Sequence, residues 1–344
     1  MFDKKTIRDI DVANKNVLVR VDYNVPIENG KVTDDLRIKE SLATIRYLLE
    51  RGARKIFLIS HLGRPDGKTV PELSLAPVAD KLRELLELPV SFAETKGEEK
   101  VVLLENLRFS PQEEENDAEF AKKLVELTKA ELFVQDGFGV VHRAHASTVA
   151  ITQFLPSVAG FLLEKEVENI KKAVENPARP LLFILGGAKV DDKVPLLNRF
   201  QTLADTIAIG GKIANTYQKT SDKEVLPVDF VYGEDGKAYD IGEKSTEKII
   251  ELINVAQTII WNGTLGMTED PRFAKASERV ATAIGQSKAF SIIGGGDTAG
   301  FVLEYQKSHP ELRYSLISTG GGASLELMSG EELPGVKALL TFMA

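Results

Sequence analysis

Apolar residues along this chain come in short blocks separated by longer stretches of helical spacing. In the first half the blocks are NVLVRVDYN (16–24), KIFLISHLGR (55–64), VVLLENLRF (101–109) and ELFVQDGFG (131–139), each ending in polar residues. Between the first two, DDLRIKESLATIRYLLERG sets Leu36, Ile38, Leu42, Ile45, Leu48 and Leu49 at helical spacing, and Gly52 follows as a stop. Strands that alternate with helices predict a parallel sheet flanked by helices. A further helical stretch, GFLLEKEVENIKKAVENP, carries Leu163, Val167, Ile170 and Val174 on one face and stops at Pro177, and is expected to join two halves of the chain.

The second half repeats the alternation with different punctuation. Its blocks end in glycine: LLFILGGAK (181–189), TIAIGGK (206–212), TIIWNGTLG (258–266), AFSIIGGGDT (289–298) and YSLISTGGGAS (314–324). In an open α/β sheet ligands sit at the carboxyl ends of the strands, so these turns are expected to line one rim. Glycine there lets backbone approach a ligand closely, although glycine is also common in strand-to-helix turns for purely local reasons.

Composition narrows the picture. A length of 344 residues suggests two domains. The net charge of −8 argues against a general nucleic-acid binder. The chain has no cysteine, which excludes disulfides, zinc–thiolate sites and thiol catalysis. No apolar run approaches a membrane span, and the opening MFDKKTIRDI lacks the apolar core of a signal peptide, so a cytoplasmic protein without membrane partners is expected.

At the strand ends of the first half stand Asp22 and Asn24, then His61 and Arg64, then Arg108, with Arg143 and His145 in HRAHAS and Arg37 opening the first helix. Converging on one mouth, such arginines imply a ligand with several negative charges, because each guanidinium grips phosphate or carboxylate through paired hydrogen bonds worth about 1.5–3 kcal/mol. His61 is read as a donor to that anion. Asp22 reads either as a counterion for the arginines or as an acceptor for a substrate hydroxyl.

The second rim offers Lys189 and Lys193 after GGAK, Asn262 and Glu269 around the Trp261 strand end, and the GGGDT turn. It has no GxxxxGK[ST] motif. A glycine turn before a helix seats phosphate on free N–H groups, and lysines there neutralise phosphate oxygens. Asp297, a negative charge in such a seat, reads either as a Mg²⁺ ligand shared with a nucleotide's phosphates or as the N-cap of a helix at Thr298.

RVDYNVP, DDLRI, SHLGRP, LLENLRF, HRAHAST, GGAKVDDK, WNGTLGMTE, GGGDTAG and STGGGASLE, in that order and spread from residue 20 to 326, resemble the phosphoglycerate kinase family. The resemblance implies two Rossmann-like domains, each a parallel sheet flanked by helices, separated by a hinged cleft. They would span 1–158 for phosphoglycerate and 179–328 for nucleotide, joined by a connecting helix at 159–178, with 329–344 packing back on the N-terminal domain. It places Asp22, Tyr23, Asn24, Arg37, His61, Leu62, Gly63, Arg64, Arg108 and Arg143 at the phosphoglycerate. It places Lys193, Gly210, Gly211, Asn262, Glu269, Gly294, Gly295, Gly296, Asp297 and Thr298 at the ATP or ADP co-substrate, Glu269 at the ribose and Asp297 at Mg²⁺. Arg37, Lys189, Lys193, Gly295 and Gly296 would act on the transferring phosphoryl group, and the enzyme would be a monomer serving glycolysis. No catalytic base is needed, since a carboxylate nucleophile is already ionised near neutral pH; alignment and charge neutralisation remain.

The chain departs from the family pattern in places. It is short, with the shortening between Lys81 and Val101 and between Tyr217 and Val228; the second gap removes helical material expected beside the adenine and predicts relaxed base selectivity. Thr264 replaces a proline in the WNGP motif, and Lys212 stands in a usually uncharged turn. The competing readings are a non-catalytic nucleotide sensor and a kinase of this fold acting on another phosphorylated carboxylate.

Overall fold

The structure is a computed structural model that describes residues 2–187 and 193–342. Its strands are β1 (Asn16–Arg20), β2 (Ile27–Glu28), β3 (Lys31–Val32), β4 (Lys55–Ile59), β5 (Val90–Phe92), β6 (Val101–Leu103), β7 (Leu132–Gln135), β8 (Ser157–Ala159), β9 (Leu181–Leu185), β10 (Thr206–Ile209), β11 (Glu224–Val225), β12 (Phe230–Tyr232), β13 (Ala238–Ile241), β14 (Thr258–Asn262), β15 (Phe290–Gly294) and β16 (Leu316–Ile317). The helices are α1 (Leu36–Glu50), α2 (Ala76–Leu86), α3 (Ala118–Thr128), α4 (Phe161–Glu175), α5 (Val194–Leu203), α6 (Glu243–Val255), α7 (Lys275–Gln286), α8 (Gly296–Ser308), α9 (Gly322–Ser329) and α10 (Pro334–Lys337). They form two compact units, one of residues 2–165 with 332–342, the other of residues 166–331. No described helix is long and apolar enough to cross a membrane.

The first unit holds a six-stranded parallel sheet in the order β5-β6-β4-β1-β7-β8. β1 is buried along its whole length, so both faces of the sheet must be apolar. Val17 and Val19 join one core with Ile38, Ile45 and Leu48 of α1. Leu18, turned the other way by the period-two pleat, joins Leu124 of α3 and Ile151 in a second core. Residues 332–342 fasten onto this unit through Lys4 Nζ to the Lys337 carbonyl (3.1 Å), Lys5 N–H to Leu340 and Leu340 N–H to Ser157.

The second unit holds another six-stranded parallel sheet, in the order β11-β10-β9-β14-β15-β16. Taken in chain order its strands run 3-2-1-4-5-6, the arrangement whose direction reverses between the first and fourth strands, here β9 and β14. Ligands of such sheets sit where the carboxyl ends of those two strands diverge. Ile184, Ile259, Trp261 and Ile293 fill one face, and Phe183 stacks on Phe200 of α5 at 4.1 Å between ring centres on the other. The two sheets with their helices are the α/β architecture expected from the pattern.

Candidate functional site

In the first unit the strand ends converge on a cationic mouth. Arg37, in the first turn of α1, donates from Nη1 to Asp22 Oδ2 at 2.6 Å. Asn24 Oδ1 accepts from Gly63 N–H at 2.9 Å, and the Gly63 carbonyl accepts from Arg108 Nη1 at 3.0 Å. Asn106 caps the short helical turn that carries Arg108, its side chain accepting from the Arg108 N–H. Gly63 has φ +63, and a Cβ there would meet the Leu73 side chain at 2.8 Å, so glycine is required for this turn. Burial depresses the Arg108 guanidinium, Glu114 partly restores it, and Arg143 and Arg64 press it down again, which places these cations within electrostatic reach of each other.

Beneath the mouth lies a buried layer of charge. Arg20, at the end of β1 and wholly buried, donates from Nε to Ser147 Oγ (2.8 Å) and from Nη1 to the Val21 carbonyl (2.5 Å), with Nη2 at 3.3 Å from His61 Nδ1. Glu113, equally buried, accepts from Ser147 Oγ (2.5 Å) and Ser147 N–H (3.0 Å) and lies 3.9 Å from both Arg20 and His145. Burial, then the charges of Arg20, Arg108 and Arg37, hold the His61 imidazole well below the usual histidine range. Burial, then the charges of Arg108, Arg20 and Arg143, push His145 down to about 4. Both rings are therefore neutral near pH 7 and act as hydrogen-bonding groups rather than as charges.

The expected residues of this mouth fall into two sets. Asp22, Asn24, Arg37, His61, Gly63, Arg64, Arg108 and Arg143 stand together, with Arg64 and Arg143 exposed. Tyr23 and Leu62 do not face it: the Tyr23 ring lies in the core with its hydroxyl 2.8 Å from Ser41 Oγ, and Leu62 is buried with its N–H and carbonyl both spent on Asn106. The sequence reading missed Arg20, Glu113 and Ser147. Arg20 had a signal, a charge inside an apolar strand; Glu113 had none, since it reads as one of several acids in PQEEEN.

The second unit builds its rim from backbone. Lys193, just before α5, donates from Nζ to the Gly186 carbonyl (2.6 Å) and lies 3.4 Å from the Asn262 carbonyl, so its ammonium sits over the diverging ends of β9 and β14. Asn262 is buried, and its Nδ2 has no hydrogen-bond partner among the described residues. A Cβ on Gly295 would come within 3.0 Å of that nitrogen, so glycine keeps the turn against the amide. Thr298 Oγ1 accepts from Gly263 N–H at 2.7 Å and ties the start of α8 to the β14 turn.

The glycines here differ in what a side chain at each would meet. A Cβ on Gly211, at φ +62, would stand 2.5 Å from Gly187 N; one on Gly263 would stand 2.1 Å from the Gly186 carbonyl, and one on Gly210 2.5 Å from Leu265. These positions are closed by the protein's own packing. Gly296 and Gly321 meet nothing within 4 Å and are open.

Asp297 is not the N-cap. α8 begins at Gly296, the cap position is Gly295 at φ +87 with no side-chain bond, and Asp297 lies in the first turn, two residues past the cap position. Its carboxylate is exposed beside the N–H groups of that turn, as is Glu269 in the turn after β14. Lys189 lies outside the described residues. Tyr217 to Lys223 form no helix, and beyond them Val228 and Tyr232 are 77% and 61% exposed.

The sequence profile of the phosphoglycerate kinase family matches residues 7–230 and 219–331, and its two matches meet at the shortened segment. The phosphoglycerate kinase of Finegoldia magna is 40% identical over 398 aligned positions, covering 98% of this chain and 99% of that one. That of Dictyoglomus turgidum is 43% identical over 398 positions, covering 98% and 99%. Both alignments exceed the 344 residues here, so these relatives carry segments this chain lacks. Among solved structures, phosphoglycerate kinase from Coxiella burnetii superposes with a TM-score of 0.84 at 34% identity, covering 97% of this chain and 98% of that one. The enzyme from Pyrococcus horikoshii superposes with a TM-score of 0.83 at 30% identity, covering 97% and 98%.

Proposed function

This chain belongs to the phosphoglycerate kinase family, kinases that transfer phosphate to and from a carboxyl group, and on that premise we propose how its two rims divide the reaction. The reaction is reversible transfer from 1,3-bisphosphoglycerate to ADP, giving 3-phosphoglycerate and ATP in glycolysis. The observation that carries the assignment is the cationic mouth of Arg37, Arg64, Arg108 and Arg143 with the neutral donor His61. So many guanidinium groups suit a ligand bearing a carboxylate and its own phosphate. Arg37, already held by Asp22 and still partly exposed, is placed to meet charge that develops on the transferring group.

The second rim takes the nucleotide. The first-turn N–H groups of α8, open at Gly296, would seat phosphate oxygens; Asn262 Nδ2 is a buried donor awaiting an acceptor, and Lys193 adds a cation. Glu269 is an exposed acceptor suited to a ribose hydroxyl. No group of three or more metal-binding side chains occurs among the described residues, which fits Mg²⁺ held by one carboxylate together with the nucleotide's phosphates. Asp297 is that carboxylate, and bound Mg²⁺ would neutralise phosphate charge. Both reactants are soluble metabolites and one chain carries both rims, so the enzyme works as a cytoplasmic monomer.

A coupled assay with ADP and 1,3-bisphosphoglycerate tests the reading. ATP formation that saturates in both substrates is expected. Nucleotide binding without turnover would favour a sensor, and turnover only with a different acyl phosphate would replace the substrate.

A further inference from the structure

His61 has two ring nitrogens, and only one of them can offer a proton to a substrate anion. A guanidinium has donors only, so where Arg20 Nη2 lies 3.3 Å from His61 Nδ1 the ring nitrogen must be the acceptor. The proton of the neutral ring is then on Nε2. Arg20 is itself fixed by a bond of set direction. Its Nε donates to Ser147 Oγ at 2.8 Å, so the Ser147 proton must go elsewhere, and Glu113 Oε1 receives it at 2.5 Å. Each bond orients the next, from Glu113 through Ser147 and Arg20 to His61. All four side chains are buried.

We propose that Ser147 and Glu113 are positioning residues for the phosphoglycerate site, which hold Arg20 so that His61 presents an Nε2–H donor to the substrate. The inference rests on the mouth of the first unit being that site. The groups facing His61 favour the same state. Arg20, Arg108 and Arg37 oppose a second positive charge on the ring, as does His145, while Glu113 balances Arg20 from 3.9 Å. Asp22 is committed to Arg37. A neutral donor of fixed tautomer binds an anion without the rotation or proton uptake that a free histidine would need.

Nitrogen-15 NMR of the imidazole rings tests this directly, because the chain has only four histidines to assign. In the wild-type enzyme His61 should show the Nε2–H tautomer and stay neutral as the pH falls through the ordinary histidine pKa. Ser147→Ala removes the link that fixes Arg20. It should give a tautomer mixture at His61 and raise the KM for 3-phosphoglycerate about tenfold, with a smaller fall in kcat, as expected for lost substrate binding. Ser147→Cys, which keeps the volume but bonds weakly, should move both readouts the same way and serves if the alanine variant does not fold. A wild-type His61 that carries Nδ1–H or titrates near pH 6.5 overturns the inference, as does a folded Ser147 variant with unchanged tautomer and KM. Calorimetric titration of 3-phosphoglycerate into the wild-type enzyme separates the two readings. If it does not bind, the site assignment has failed; if it binds to a protein whose His61 is in the wrong tautomer, only this inference has.

Discussion

On the proposed reading, the two rims would hold a polyanion in opposite ways. The first unit places side-chain charge in advance, several guanidinium groups over a buried layer in which Arg20 and Glu113 balance each other. The second offers backbone N–H groups, one buried amide and a lysine resting on carbonyls, while its exposed Asp297 carries the wrong sign for a phosphate seat. The difference teaches where positive charge must come from. On the proposed reading the first rim supplies its own, and the second would leave part of it to a metal arriving with the nucleotide.

The largest expected effect comes from breaking the first rim. Arg37→Ala should lower kcat on the order of a hundredfold, the equivalent of losing about 3 kcal/mol of transition-state stabilisation. Steady-state kinetics check it, and an unchanged kcat with a raised KM would move Arg37 to ground-state binding.

The second rim should respond to its glycines unequally. Gly211→Ala forces a Cβ against Gly187 at positive φ and should cost about 2–3 kcal/mol of stability in denaturant titrations. Gly296→Ala, open and helical, should change stability by less than about 1 kcal/mol in the favourable direction while weakening ADP binding. Equal destabilisation by both would erase the division between packing and ligand glycines.

A smaller effect tests the frame of the first unit. Asp136 directly follows β7 and is buried against the start of α4, where it accepts from Leu162 N–H at 2.9 Å, and burial pushes its carboxyl up to about 7. The native state then holds a proton that the unfolded chain releases near pH 4, so stability is fullest below that value and falls as pH rises towards 7. Between about pH 5 and pH 8 the loss should be on the order of 2 kcal/mol. Asp136→Asn should flatten that part of the Tm profile, whereas an identical slope in the variant would assign it to other groups. The smallest effect concerns the base. With no helix between Tyr217 and Lys223 and Val228 left in water, GDP should be used within about tenfold of ADP, about 1.4 kcal/mol. A hundredfold preference for ADP would show that other contacts replace the missing wall.

How much of this was legible depended on length and on partners. The inner strands β1, β4, β6, β7, β9, β10, β14 and β15 announce themselves, most of them as apolar runs buried on both faces, and the short edge strand β16 is marked by the glycine turn that follows it. β5, β8 and β11 have two or three residues each and lie at sheet edges, too short to carry a period. The mouth was legible because arginine at a strand end is conspicuous. Its foundation was not, since Glu113 and Ser147 matter only through neighbours distant in sequence. The glycines showed the opposite failure: the same residue type, Gly211 and Gly296 differ in backbone conformation and in what surrounds them. Asp297 was read as a ligand or a cap, and a helix that starts two residues earlier decided against the cap.

The contrast between the rims is tested most directly by calorimetric titration of each substrate with Mg²⁺ and with EDTA, into the wild-type enzyme and Asp297→Ala. The account predicts that 3-phosphoglycerate binds both proteins equally in all conditions. ADP should bind the wild type more tightly with Mg²⁺, and the variant should lose that gain yet bind at least as well as wild type in EDTA, where a carboxylate that repels phosphate has gone. If Asp297→Ala weakens ADP equally with and without metal, the residue only orders its turn. The second rim would then owe nothing to a metal held there.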